Sequence, residues 1–379
     1  MLNVRNITTP AYICEVDVFK KNIEDFRQEV KRYYPSYRMG YSFKTNYYEG
    51  FCKAVNELGE YAEVVSPKEY AYAKSLGFRD QDIIYNGLIE DFDNKRAVAA
   101  AGGIVNIDNL PEFKKFVDWT NRNNTPLALG VRLNFDIGNG IVSRFGIDVK
   151  GEDFAFLRKK SNYPLIKIVS VHCHISQARS LEFFKRRVFN AAYYAEMLGA
   201  KYVDIGGNMF GRMRPDFEAQ FPEKVPTFQE YAEVIGQAMA DACPSGTMTL
   251  ITEDGTPVVS NAMHLLATIT NVKKVQGQTF IVVDTKREDV GASCITKIPS
   301  CVHYGKDDNV VSDATVFGCT CVEIDYILRK YNGPANIGDR LMFMGIGAYS
   351  NNTTNNFITP ACRNYVEGKI INEKDGVIV

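Results

Sequence analysis

Neither charge sign dominates this chain: 44 Lys and Arg stand against 45 Asp and Glu in 379 residues. There is no field of one sign to draw in nucleic acid or an anionic membrane surface. Long apolar runs are missing too, none approaching the roughly 20 residues of a membrane span. Met1-Leu2-Asn3-Val4-Arg5 does not open an apolar signal core. Low-complexity stretches and short internal repeats are absent. So is the spacing of a zinc knuckle. The nine cysteines are odd in number and irregularly placed, and Cys319-Thr320-Cys321 has one intervening residue where a knuckle has two. Cys14, Cys173 and Cys294 sit in apolar runs, where a thiol behaves as a small hydrophobe. These absences leave a cytoplasmic enzyme or binding protein acting on a small molecule, with no nucleic-acid or membrane partner.

Residues 20–260 alternate short apolar strands with amphipathic helices. The strands are expected at 39–43, 62–65, 82–85, 103–107, 127–133, 168–174, 202–205 and 247–252. Helical spacing of apolar residues marks 67–76, 110–119 and 181–198 among the connections. Eight such units read as a closed (β/α)8 barrel, with an open doubly wound sheet as the alternative. Beyond about residue 261 the pattern changes to alternating segments, such as 267–275, 278–284, 315–317 and 341–344, bounded by Gly, Asn and Asp. That predicts a mainly antiparallel β domain of residues 1–19 and 261–379, with a strand at 11–16 joining it.

In a barrel of this kind, chemistry collects where strands end. Lys44, in Tyr41-Ser42-Phe43-Lys44-Thr45-Asn46, closes the first strand, where an unpaired ammonium is costly to bury. Such an amine serves as a Schiff-base former when burial and neighbouring charge depress its pKa. Glu63, Arg132, His174, Asp204-Ile205-Gly206-Gly207-Asn208 and Glu253 follow at later strand ends. This set suits pyridoxal phosphate: a lysine for its aldehyde, an imidazole to stack, glycines to approach the phosphate, and an acid for the pyridine nitrogen. His172-Cys173-His174 looks like a metal-ligand run. On a strand, however, the two histidines share one face and the cysteine opposes them, so no metal is expected.

With those residues in view, the chain resembles the fold-type III pyridoxal-phosphate decarboxylases, the group of ornithine/arginine and diaminopimelate decarboxylases, over nearly its whole length. Glu63-Val64-Val65-Ser66-Pro67-Lys68-Glu69 is similar to the family's acidic-Ser-Glu segment. Ser143-Arg144-Phe145-Gly146 resembles S-K-F-G, and His172-Cys173-His174-Ile175 resembles H-C-H-I. Asp204-Ile205-Gly206-Gly207 fits D-I-G-G-G, and Glu253-Asp254-Gly255-Thr256 resembles E-P-G-R. Gly318-Cys319-Thr320-Cys321-Val322-Glu323-Ile324-Asp325 resembles G-P-x-C-E/D-x-x-D, and Gly347-Ala348-Tyr349 matches G-A-Y.

The resemblance implies that Lys44 carries the internal aldimine, His174 stacks on the ring, Glu253 holds the pyridinium, and Gly206, Gly207 and Tyr349 bind phosphate. It implies a homodimer with shared active sites, in which Cys321 enters the neighbouring subunit's site as proton donor. Arg132, Cys321, Val322 and Asp325 are the candidate substrate contacts.

Four departures matter. The family's H-I-G-S turn is His174-Ile175-Ser176-Gln177 here. Thr256 replaces the phosphate-binding arginine of E-P-G-R, leaving Asn208 or the Thr256 hydroxyl as substitute donors. Val322 replaces the acid after the cysteine, and residues 284–296 lack the R-P-x-x-Y of diaminopimelate decarboxylases. Decarboxylation of an amino acid other than diaminopimelate or ornithine is therefore expected, with Lys286 and Arg287 as candidate readers of a distal anion if they face the cavity. The alternatives are an amino-acid racemase or epimerase, since alanine racemases share this architecture, and an inactive cofactor-binding homologue.

Overall fold

The computed structural model describes residues 2–294, 296–369 and 377–378. All eight expected barrel strands form within two residues of expectation: Tyr37–Ser42, Tyr61–Val64, Ile83–Tyr85, Ile104–Ile107, Leu127–Asn134, Ile166–His172, Tyr202–Asp204 and Thr249–Asp254. Tyr37–Ser42 pairs in parallel with Tyr61–Val64 on one side and Thr249–Asp254 on the other. Ile104–Ile107 pairs with Leu127–Asn134, which closes the ring. That closure rules out the open sheet.

The strand period of two explains how the barrel acquires a polar mouth. Tyr61, Ile84, Ile104 and Ile251, with half-buried Tyr202, form an apolar cluster of their own, apart from the main core. Two residues further along each segment, on the same face, stand Glu63, Asn86, Asn106, Glu253 and Asp204, all buried. The inward face thus turns from apolar to polar in one step as each strand reaches its C-terminal end. The outward face is apolar and packs on the helices. Phe19 of helix Val16–Tyr33 stacks on Phe51 at 4.7 Å and meets Tyr41 edge-on at 5.1 Å.

Helix starts follow from local sequence. Ser66, Asn109 and Ser180 each accept a backbone N–H three residues on, and Thr227 with Glu230 forms a capping box. Each such cap contributes about 1 kcal/mol.

In the second sheet, Ala11–Cys14 pairs antiparallel with Met263–Val275, which also pairs with Gln278–Val283 and Arg340–Phe343. The sheet is mainly antiparallel, with parallel pairing between Gln278–Val283 and Val310–Phe317. Its loop of residues 345–352 is stitched to the end of the first barrel strand. Asn46 Nδ2 donates to Gly347 O at 2.7 Å, Tyr349 N to Thr45 O at 2.9 Å, and Asn351 Nδ2 to Asn46 Oδ1 at 3.0 Å. Asn352 Nδ2 donates to Lys44 O. Tyr349 is thereby brought to the barrel mouth. Among the described residues, no helix is long and apolar enough to cross a membrane.

Candidate active site

The first strand ends at Ser42, and Lys44 lies in a short turn, Phe43–Thr45, rather than on the strand itself. That turn aims Lys44 Nζ at Ser42 Oγ (2.7 Å) and Glu63 Oε2 (2.6 Å), with about a third of its side chain exposed at the mouth. Burial pulls the Lys44 pKa down, but Glu63 and Glu253 outweigh it and hold the amine above the ordinary lysine value. The expected depression therefore does not occur here; two carboxylates close to one ammonium decide the sign.

Asn86 links the acids. Its Nδ2 donates to Glu63 Oε1 at 3.0 Å and to Glu253 Oε1 at 2.5 Å, while Asn106 Nδ2 orients it through Asn86 Oδ1 at 2.9 Å. Burial would raise Glu253, yet His172 and Lys44 overcome that and hold it well below the usual carboxylate range. Asp204 moves the other way, raised by burial and by Glu253. The two neighbouring acids are thus pushed apart, Glu253 towards the ionised form and Asp204 towards the protonated one. His172 Nε2 stands 3.4 Å from Glu253 Oε2 without making a hydrogen bond to it.

His172, Asp204 and Glu253 each place a ligating atom within 4.8 Å of the others. This grouping comes from three strands. It is not the local His172-Cys173-His174 run, since neither Cys173 nor His174 belongs to it.

His174 lies two residues past its strand. Its Nδ1 accepts from Gly207 N at 3.2 Å, and burial, then Lys44, push its pKa well below the ordinary value. It is a neutral imidazole with its proton on Nε2. Gly206 N donates to Asp204 Oδ1 at 3.0 Å. The two glycine N–H groups expected to meet phosphate are therefore already engaged. The glycines are needed for shape: Gly206 has φ +64°, and a Cβ on Gly207 would fall 2.2 Å from Glu253 O. Asn208 follows at φ 79°, a conformation asparagine tolerates.

The remaining expected residues divide. Thr256 and Tyr349 line one cavity of about 510 Å³ beside the loop of residues 206–211. Arg132 is tied to His174 O at 3.0 Å, lies 3.7 Å from Asp108, and stacks on Phe145, so it orients the histidine loop. Cys321 is exposed and Val322 half-buried on a turn organised by Asp325. Asp325 Oδ1 accepts from Arg287 N (2.8 Å) and Oδ2 from Thr320 N (3.0 Å). Lys286 is buried and bonded to Asn355 O (2.5 Å) and Thr359 O (2.9 Å). Neither Lys286 nor Arg287 lines that cavity.

Sequence reasoning missed Asn86 and Arg187. Arg187 is fully buried, donating to Ile205 O (3.1 Å), Gly207 O (2.9 Å), Ile175 O (3.2 Å) and Ala178 O (3.1 Å). It clamps the loop after His174 to the loop of Gly206 and Gly207. A signal existed: within Leu181–Leu198, Phe184, Val188, Ala191, Ala195 and Leu198 form the buried stripe, and Arg187 sits on it.

A (β/α)8 barrel that places an amine, a neutral imidazole, an ionised glutamate and a glycine loop at its C-terminal mouth is the scaffold of a pyridoxal-phosphate enzyme. Residues 19–260 match the family described as pyridoxal-dependent decarboxylase, pyridoxal binding domain, and the chain belongs to that family. The cofactor is therefore pyridoxal phosphate and the enzyme class carboxy-lyase. A diaminopimelate decarboxylase of Aquifex aeolicus is 25% identical over 365 residues, 90% of this chain and 82% of that protein. The structure of the diaminopimelate decarboxylase from Methanocaldococcus jannaschii superposes with a TM-score of 0.83 at 20% identity, covering 99% of this chain and 90% of that one. The arginine decarboxylase of Paramecium bursaria Chlorella virus gives 0.79 at 18% identity, covering 95% and 96%. The site fits the cofactor on its own terms. Both His172 nitrogens and Asp204 Oδ2 are buried without hydrogen-bond partners beside Glu253, and the loop at Gly206 and Gly207 excludes any side chain.

Proposed function

We propose that this chain removes the α-carboxylate of an amino acid other than diaminopimelate or ornithine, working as a homodimer with shared sites. The observation that carries the reading is Lys44 Nζ, held 2.6 Å from Glu63 at the mouth, with Glu253 at the end of the adjacent strand and His174 just past the end of another. When bound there, pyridoxal phosphate supplies a ring that takes up the electron pair left by the departing carboxylate. Glu253, ionised, keeps a proton on the ring nitrogen. His174, neutral, offers a flat face without adding charge. Lys44 must shed a proton before it reacts, and Glu63 and Ser42 hold it in line until then. The exposed Cys321 Sγ of the second copy delivers a proton to the α-carbon. Arg132 sets the His174 loop instead of reading substrate. Val322, which brings no charge beside the cysteine, and the internally bonded Lys286 support a substrate outside the two common ones.

The ionised Glu253 favours carboxylate loss over racemisation, which is served by a cation against the ring nitrogen and a weaker sink. Incubating the holoenzyme with a panel of amino acids tests this. Carbon dioxide and the matching amine are expected. Solvent deuterium at Cα with the carboxylate retained would reverse the reading towards a racemase. A purified protein that stays colourless after cofactor is added would point to the inactive homologue.

A further inference from the structure

The phosphate of the cofactor needs a cation, and the loop beside it has spent its obvious donors. Gly206 N–H is bonded to Asp204 and Gly207 N–H to His174, and position 256 is a threonine. Other cations lining the cavity are also committed. Arg212 pairs with Asp25 at 2.7 Å and bonds Asn22 Oδ1 at 3.0 Å. Arg214 stands 3.5 Å from Asp216, and Lys297 donates to Gln220 O at 2.6 Å.

Arg179 differs from these. It lies just before helix Leu181–Leu198, half-buried, and lines the cavity together with Thr256 and Tyr349. Nε donates to Asn208 Oδ1 at 3.0 Å, the guanidinium lies 4.6 Å over the Phe210 ring, and its own carbonyl accepts from Tyr231 Oη at 2.6 Å. Backbone, Nε and ring face are thus all held. Among the described residues no carboxylate pairs with it. Burial lowers its pKa, and the ionisable groups acting against that are Tyr231 and Tyr349. A guanidinium held through Nε, with both Nη groups free of an acid, has the fork geometry that suits an oxyanion.

We propose that Arg179 supplies the positive charge for the cofactor phosphate, in the role the family gives to an arginine at position 256. This rests on the pyridoxal-phosphate reading, and the test separates the two. Apoprotein is prepared from wild type, R179A, R179K and R179A/T256R and titrated with pyridoxal phosphate and with pyridoxal, following absorbance. R179A is expected to weaken pyridoxal phosphate roughly 10- to 100-fold, the size of a lost charge-assisted hydrogen bond, and to leave pyridoxal unchanged. R179K should fall between, and T256R should recover most of the loss. Wild-type affinity in R179A, equal weakening of both ligands, or a rise in substrate KM alone each overturns the proposal. Wild-type apoprotein that takes up neither ligand overturns the cofactor reading itself.

Discussion

Lys44 Nζ and Glu63 Oε2 stand 2.6 Å apart, and Ser42 Oγ bonds both of them. The carboxylate therefore favours the lysine as an ammonium. The ion pair sets the protonation state from which Lys44 starts.

Glu63 and Glu253 raise the Lys44 pKa against burial, and only the free amine attacks an aldehyde. Removing the Glu63 charge in E63Q lowers that pKa. Cofactor incorporation into apoprotein, followed by absorbance across pH, should reach half its limiting rate at lower pH than in wild type. At neutral pH the rate should rise about tenfold per unit of fall. A midpoint that stays put or moves up would show that the ion pair does not govern the step.

Borohydride reduction of the holoenzyme should place the pyridoxyl label on Lys44, and K44A should lose the label and nearly all turnover, on the order of a thousandfold or more. Peptide mapping that finds the label on another lysine would remove the basis of the assigned chemistry.

Asp204 and Glu253 are both buried acids, yet their pKa values are pushed in opposite directions, Glu253 down and Asp204 up. D204N keeps an oxygen for Gly206 N and should cost about 1 kcal/mol or less in stability, with turnover within a few-fold of wild type. E253Q removes the charge that holds the ring proton and should lower kcat roughly 100-fold. Thermal melts and steady-state rates decide between them; equal damage from both would assign the charge wrongly.

If Cys321 acts in the neighbouring site, K44A and C321A subunits each lack one half of a site. Mixing and reassociating them in equal amounts makes half the dimers mixed, each with one intact site, so about a quarter of wild-type activity should return. No recovery, with mixed dimers shown to form, would place Cys321 outside the partner's site.

Arg187 holds four carbonyls of the loop after His174 and the loop of Gly206 and Gly207. R187M keeps the length and removes the donors, leaving those carbonyls buried. A loss of about 2–4 kcal/mol in unfolding free energy is expected, together with weaker cofactor binding as the loops relax. An unchanged melting temperature would mean the loops hold without it.

Much of this architecture was open to local reading because the period of two is local. Tyr61 with Glu63, Ile84 with Asn86 and Ile251 with Glu253 each sit on one strand face, so the positions of the barrel strands and of Glu63 and Glu253 were visible in the chain. His174 was found the same way, although it lies past its strand. The second-sheet residues were harder to interpret. Lys286 looked free for an anion and is instead buried on two carbonyls, a fact carried by contacts some 70 residues distant.

The amino-acid order alone determined where the strands run, which end of the barrel is polar, and that an amine, an imidazole and an acid meet there. Tertiary structure alone decided their states. Asn86, 167 residues from Glu253 along the chain, joins it to Glu63, Gly207 gives its N–H to His174, and Arg179 is left without an acid among the described residues. The physical reason is that alternation along a strand is written residue by residue. Hydrogen bonds between strand ends, and the protonation they impose, exist only once the ring has closed and water has been excluded from its mouth.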